Sequence, residues 1–411
     1  MAIVKKINMT NQIMIAMVLG IVVGLAVGPS IAPIKIFGDI FLNLIQMSVV
    51  VLVMGAVIEA VGDLDAKGLG KLGMKMAIWF MASTFLAAAL GIVLGYLIQP
   101  GTGVEAQLSG TVVETSNSSL SEIILGFFPT NIIESMANAN MIQVIVFAVL
   151  FGLSISIVST KMDVSILKTG IKQFNVIILR LVGMVMVIAP IGIFALIAST
   201  IANMGLQVIL PLLKYLGVYA LGTFVYLIIW LLLTAIFCRV SFFRLAVNLT
   251  QIAVMALVTT SSAVTLPTAL KDAREKLGIE ERVSKLVLPL GMTLNSNGSA
   301  MHMAITVVTI AQIYGVDYSL STYVYIAFLA ALASLANAVV PGAGLVSLAI
   351  VVPQMNLPVE SIALFAGVEW FVGMLRTILN VTADTTTALL VAKTENAIDY
   401  DIFNNGIEEV A

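Results

Sequence analysis

MLRTILNVTADTTT, residues 374–387, places a cation, an amide and an anion inside an apolar segment that runs from about Val359 to Leu390. Arg376, Asn380 and Asp384 fall at i, i+4 and i+8, so on a helix they share one broad face. An arginine in hydrocarbon costs at least a few kcal/mol, so Arg376 must face protein and meet an anion. Eight residues rise about 12 Å along a helix, which strains a direct Arg376–Asp384 pair. The row therefore predicts separate partners: an anionic ligand for Arg376 and a cation for Asp384. A structural ion pair between the two, and a protonated Asp384, are the competing readings.

The rest of the chain agrees on the solvent. Of 411 residues, 60% are hydrophobic and only 10% charged, against about 25% charged in soluble domains. Mean hydropathy is +1.10. Long apolar runs occupy 11–31, 40–62, 76–98, 138–159, 175–202 and 207–238. Each matches the roughly 20 helical residues that cross a bilayer core. Barrel strands would instead alternate over short segments. The fold class is an all-α polytopic membrane protein. A net charge of −2, with no basic tail or aromatic-basic patch, gives nucleic acid no footing. A single cysteine, Cys238, excludes an internal disulfide, and a single histidine, His302, excludes a multi-histidine zinc site.

Lysine and arginine placement sets the orientation. Lys5 and Lys6 precede the first span; Lys67, Lys71 and Lys75 follow the second; Lys161, Lys168 and Lys172 follow the fourth; Arg239 and Arg244 follow the sixth. A cluster from Lys271 to Lys285 and Lys393 continue the alternation, while the loop 99–137 carries none. The positive-inside rule then puts both termini in the cytoplasm and the polar loop 101–137 outside. The N-terminus lacks a small-residue cleavage site and reads as a first span, not a removed signal.

From about 243 the apolar segments break. VTTSSAVTLPTAL (258–270) and SLANAVVPGAGLVSLA (334–349) each run apolar, small-polar, apolar. Both predict re-entrant helical hairpins, since non-helical backbone at membrane depth survives only under protein or beside water. A long helix with mid-span polar residues follows each: LPLGMTLNSNGSAMHMA (288–304), then VEWFVGMLRTILNVTADTTTALLVAK (368–393). Hairpin then helix, twice and from opposite sides, is an inverted repeat, and such breaks point to a substrate site at the midplane. Asn295, Asn297 and Ser299 around a glycine favour a carbonyl site for a hard cation such as Na⁺, although amides and hydroxyls also glue membrane helices. His302 reads as a hydrogen-bonded packing residue, and Glu369 as a residue near the interface and away from the site. The methionines fill gaps or face lipid.

SSAVTLP (261–267), NSNGS (295–299), VPGAG (340–344) and RTILNVTAD (376–384) together resemble the dicarboxylate/amino acid:cation symporter family, which includes the glutamate transporters. The resemblance covers nearly the whole length and implies eight transmembrane helices, two re-entrant hairpins, an elevator mechanism and a homotrimer. It implies scaffold spans one and two in 1–72, transport-domain span three in 73–100, an extracellular loop in 101–137, and scaffold spans four and five in 138–206. The transport domain would continue through 207–411, with span six, a hairpin at 243–276, span seven at 284–314, a hairpin at 322–354 and span eight at 359–396.

Position by position, the resemblance implies that Arg376 clamps the substrate's side-chain carboxylate, with Thr377, Asn380, Ser262, Ser299 and the Val340–Gly344 tip as further substrate contacts. One sodium site would use Gly291, Asn295 and Asn380 oxygens with the Asp384 carboxylate. A second would use Thr293, Ser334 and Asn337; a third Ser83, Thr84, Asn295 and Asn297. The departures matter. Asn297 stands where the family has an aspartate, which weakens the third site, and Ser296 stands for its methionine. Gly373 stands where amino acid carriers place the aspartate that pairs with the substrate's ammonium, an interaction on the order of 1.5–3 kcal/mol. Met303 stands where proton-coupled members put a glutamate.

The expected protein is a secondary symporter of a prokaryotic inner membrane. It carries a small dicarboxylate such as a C4 acid with Na⁺ and needs no cofactor. Acidic amino acids are the alternative substrate and H⁺ the alternative ion. A channel or a membrane-embedded enzyme are the other classes; no Ser/His/Asp arrangement suggests itself around His302.

Overall fold

The computed structural model describes residues 9–63, 70–102, 125–204, 209–335 and 343–405. Among them there is no strand beyond one isolated bridge, Ile279–Ile398. The helices are α1 (Met9–Val27), α2 (Lys35–Gly62), α3 (Gly70–Ile98), α4 (Ile132–Ala137), α5 (Met141–Val158), α6 (Ser165–Val187), α7 (Ala189–Met204) and α8 (Ile209–Cys238). They continue as α9 (Phe242–Thr259), α10 (Ser262–Glu275), α11 (Glu281–Leu294), α12 (Asn297–Ile313), α13 (Leu320–Ser334), α14 (Ala343–Gln354), α15 (Ile362–Ala366), α16 (Glu369–Thr394) and α17 (Tyr400–Asn405).

Among the described residues six helical stretches are long and apolar enough to cross a membrane, seven if a bent pair near the C-terminus counts as one span. The apolar runs at 175–202 and 284–314 are not continuous helices. Pro190 stands in the first turn of α7, where its missing N–H is tolerated, and the chain breaks there between α6 and α7. The second run breaks at Asn295 and Ser296, both outside helical φ/ψ, between α11 and α12. The run at 359–396 is bent by 85° just before Glu369. Large apolar side chains face outward, Ile166 at 88% exposure and Phe243 at 79%, which is the surface a hydrocarbon solvent requires.

In the last third, α9 and α10 pack on each other across a two-residue turn. Thr260 turns the chain with φ +50 and Ser261 caps α10 by accepting the Val264 N–H at 3.4 Å. α13 and α14 also pack together. The stretch between them, with Asn337 and Val340, lies outside the described residues.

Two packing groups are visible. α1, α2, α5, α6 and α7 hold each other, with α2 touching α5, α6 and α7. The second group centres on α12 and α16, which pack on each other and against α3 and α8. Almost every α12 side chain is buried, as is α16 from Leu379 to Ala392. A helix buried all round is core, so the polar residues of NSNGS and of the arginine helix meet protein and not lipid. The groups touch through α14 on α2, α13 on α5 and α15 on α7.

In the first group, Asn175 of α6 donates from Nδ2 to the Gly55 carbonyl at 2.9 Å and to Glu59 of α2. A side chain at Gly55 would collide with the Asn175 Oδ1 atom, so the missing Cβ lets the helices close. Asn175→Ala leaves Glu59 half-buried without that donor. An unmet buried group of this kind costs about 1–3 kcal/mol. A lowered thermal midpoint of the purified protein is the expected result; an unchanged midpoint would show that the contact carries no stability.

Candidate functional site

The break between α11 and α12 frees backbone groups in the centre of the second packing group, and neighbouring side chains take them up. Asn380 of α16 accepts the Gly298 N–H at 2.8 Å, and Tyr219 of α8 donates to the Gly298 carbonyl at 2.9 Å. The approach is close: a Cβ on Gly298 would lie 2.5 Å from the Arg376 carbonyl oxygen. Asn380, Thr377 and Ser299 are all buried, with the Thr377 hydroxyl donating to the Gly373 carbonyl at 2.7 Å.

The side chains of the break converge on α3. Asn295 Oδ1 accepts from Ser83 at 3.0 Å and Thr84 at 3.1 Å; Asn297 Oδ1 accepts from Thr84 at 2.8 Å and Ser83 at 3.3 Å. Each hydroxyl has one proton and faces two amide oxygens, so not all four bonds form at once. Asn297 Nδ2 donates to Tyr226, and Asn295 Nδ2 donates to Asp384 Oδ1 at 2.8 Å. Asp384 is 2% exposed. Among the described residues no lysine or arginine pairs with it. A Cβ on Gly291 would lie 2.7 Å from its carboxyl carbon, so this glycine lets the α11 backbone meet the acid.

These contacts bring together Gly291, Asn295 and Asp384 at one point and Ser83, Thr84, Asn295 and Asn297 at the next. The Thr293–Ser334–Asn337 set is not assembled among the described residues. Thr293 is exposed, its hydroxyl turned to the Leu290 carbonyl, and Ser334 turns to the Ala331 carbonyl. Ser262 opens α10, half-buried, with no hydrogen bond to the arginine group among the described residues.

Arg376 is not paired with Asp384. Its Nη2 donates to Glu369 Oε1 at 3.0 Å, and the two side chains are 12% and 14% exposed. Glu369 therefore belongs to the site and not to the interface. Residues i and i+7 lie on one helical face, about 10.5 Å apart in rise, and the bend before Glu369 turns the start of α16 toward α14. The same Oε1 accepts the Gly344 N–H at 3.1 Å, and a side chain on Gly344 would collide with the Glu369 carboxylate and the guanidinium. Glu369 Oε2 and Arg376 Nη1 find no partner among the described residues. Among the described residues a Cβ at Gly373 would meet Arg376 Nη2 at 3.8 Å, an ordinary contact. His302 is fully buried, its Nδ1 2.5 Å from the Tyr215 hydroxyl. Sequence reasoning missed Glu369 because its distance from Arg376 along the chain hides a shared face.

The family described as the sodium:dicarboxylate symporter family matches residues 9–394. The chain belongs to that family. Several relatives extend the match across nearly the whole symporter. It is 33% identical to a proton/glutamate-aspartate symporter of Bacillus subtilis (strain 168), over 94% of both chains. It is 31% identical to a proton/sodium-glutamate symport protein of the same strain, over 95% of this chain and 93% of the relative. To the C4-dicarboxylate transport protein 1 of Ralstonia nicotianae it is 26% identical, over 94% and 92%. The family is one of cation-coupled symporters, and no enzyme stands among these relatives.

The tight seat of Gly298 on the symporter's arginine helix gives a direct structural test. Gly298→Ala pushes a methyl group against the Arg376 carbonyl, and such overpacking costs about 1–3 kcal/mol. The expected result is a lower unfolding midpoint; wild-type stability would mean that α12 and α16 are not this close.

Proposed function

We propose that this symporter carries small C4 dicarboxylates inward together with sodium ions. One observation supports it most. Among the described residues the buried Arg376 guanidinium pairs with one carboxylate, Glu369, while a second buried carboxylate, Asp384, pairs with no cationic side chain. An unpaired charge in a low-dielectric interior costs several kcal/mol. Asp384 therefore calls for a small cation, and Arg376 can exchange its internal acid for that of a substrate.

The donors around Asp384 suit a hard ion: the acid, the Asn295 amide and the nearby α11 backbone are all oxygen-bearing. Gly291, Asn295, Asn380 and Asp384 would hold the first sodium ion. The hydroxyls of Ser83 and Thr84 with the Asn295 and Asn297 amide oxygens form a neutral oxygen cluster that would hold another more weakly, for lack of an acid at Asn297. Thr293, Ser334 and Asn337 remain the proposed second site, through backbone oxygens where the Thr293 hydroxyl points away. On the substrate side, Arg376, Thr377, Asn380, Ser299 and Gly344 would surround the dicarboxylate, with Ser262 and Val340 closing from the hairpin tips.

The larger assembly in this reading is an eight-span elevator with two re-entrant hairpins. The α12–α16 group moves as the transport domain against a scaffold built on α1, α2 and α5–α7, and three copies join through scaffold surfaces in a prokaryotic plasma membrane with both termini cytoplasmic. An acidic amino acid is the second reading. The free Glu369 Oε2 could receive an ammonium that Gly373 cannot, and two of the relatives named above are glutamate symporters.

Uptake of labelled succinate into proteoliposomes, with and without an inward Na⁺ gradient, decides between these readings. Concentrative, Na⁺-dependent uptake that unlabelled succinate and malate block and aspartate does not is the expected outcome. No uptake of succinate alongside Na⁺-dependent uptake of labelled aspartate would establish the second reading, and unitary currents without accumulation would refute symport. Arg376→Ala removes a pair of charged hydrogen bonds, each on the order of 1.5–3 kcal/mol, so succinate affinity should fall by roughly 100-fold or more. Unchanged affinity would take the carboxylate away from Arg376. Asp384→Asn should abolish most of the Na⁺ dependence of binding while preserving which acids compete; Na⁺ dependence equal to the parent's would move the ion elsewhere.

A further inference from the structure

Glu369 occupies the place that a substrate carboxylate needs. Its Oε1 takes a guanidinium N–H from Arg376 and a backbone N–H from Gly344, at the start of α14. Those are the donors that an incoming acid would use under the symport reading. A methyl group on Gly344 would collide with both the Glu369 carboxylate and the guanidinium, so the α14 backbone closes directly on the pair.

Among the described residues the surroundings offer no second cation. Tyr215 and Tyr219 of α8 face the pair, and His302 of α12 lies beside Arg376 and the Gly344 backbone. His302 takes the Tyr215 hydroxyl at Nδ1, while Nε2 has no partner at hydrogen-bond geometry. α14 and α15 carry no acidic or basic residue. Asp384 lies two turns along α16, tied to Asn295. Arg376 is the one cationic side chain paired with Glu369 among the described residues. One guanidinium balances one carboxylate, and like charges sharing a buried site drive one of them to take a proton.

We propose that Glu369 is the proton-binding group of the transport cycle, an internal acid that holds Arg376 and Gly344 while the site is empty and leaves them as a neutral carboxylic acid when substrate binds. The proposal rests on the symport reading and adds the coupled proton to it. The exchange is balanced: the substrate carboxylate takes over the Arg376 and Gly344 N–H groups, and one proton from water bonds to a Glu369 oxygen. The charge at the guanidinium is the same before and after.

The test uses the purified full chain in saturating NaCl, so that the ion at Asp384 is constant. Succinate and aspartate are the probes, added to weakly buffered protein with a pH indicator. The parent should take up one proton for each ligand bound, and its affinity should fall about tenfold for each unit of rising pH on the alkaline side. Glu369→Gln should take up none, lose the pH slope, and bind at alkaline pH at least tenfold more tightly than the parent, since its internal competitor is gone. Ligand binding by the parent without proton uptake overturns the proposal, as does a Glu369→Gln protein that keeps the slope. Should the variant fail to fold, the parent's proton count decides alone. A parent that binds neither probe refutes the symport reading itself, a result distinct from binding without a proton.

Discussion

A guanidinium buried between helices dictates the architecture around it. Arg376 cannot face hydrocarbon, so α16 must sit inside a shell of other helices, and its neighbours must supply an anion. Glu369 supplies it from the first turn of the same helix, just after an 85° bend, where it also meets the start of α14. The pair then fixes one position of α14, Gly344, where a Cβ would collide with both side chains. Two of its atoms, Glu369 Oε2 and Arg376 Nη1, remain unmatched among the described residues. A buried pair with open valences of this kind is poised to exchange partners, where a closed pair would only hold helices together.

The second constraint is the interruption at Asn295 and Ser296. A straight helix there would bury its backbone and offer nothing to an ion. Breaking it exposes N–H and carbonyl groups that Asn380 and Tyr219 take up, and it lets Asn295 reach both Asp384 and the two hydroxyls of α3. The arginine and the acid are thereby kept apart on one helix, each with its own surroundings: donors near Arg376, oxygens near Asp384. Under the proposed function these would be separate anion and cation seats on one helix.

Much of this was legible in the sequence. The apolar runs gave the solvent, and the small-polar interruptions gave the helix breaks at 258–270 and 295–299. The i, i+4, i+8 row gave a shared face for Arg376, Asn380 and Asp384, and the distance between its ends correctly argued against their pairing. Less legible were the breaks that depend on a single residue. Pro190 splits what hydropathy averages into one span, and the bend before Glu369 leaves no compositional trace. Glu369 was misplaced for the same reason: a glutamate opening an apolar helix looks solvated until the bend and the i, i+7 face carry it inward. His302 was placed correctly as a hydrogen-bonded core residue, since an apolar helix with one polar ring leaves it little else to do.

The account turns on Arg376 exchanging an internal carboxylate for an external one. A density map of the protein with succinate and NaCl tests this most directly. It should show a succinate carboxylate against the guanidinium, with Glu369 drawn away from its 3.0 Å contact with Arg376. Succinate bound elsewhere, with the Arg376–Glu369 pair intact, would contradict it.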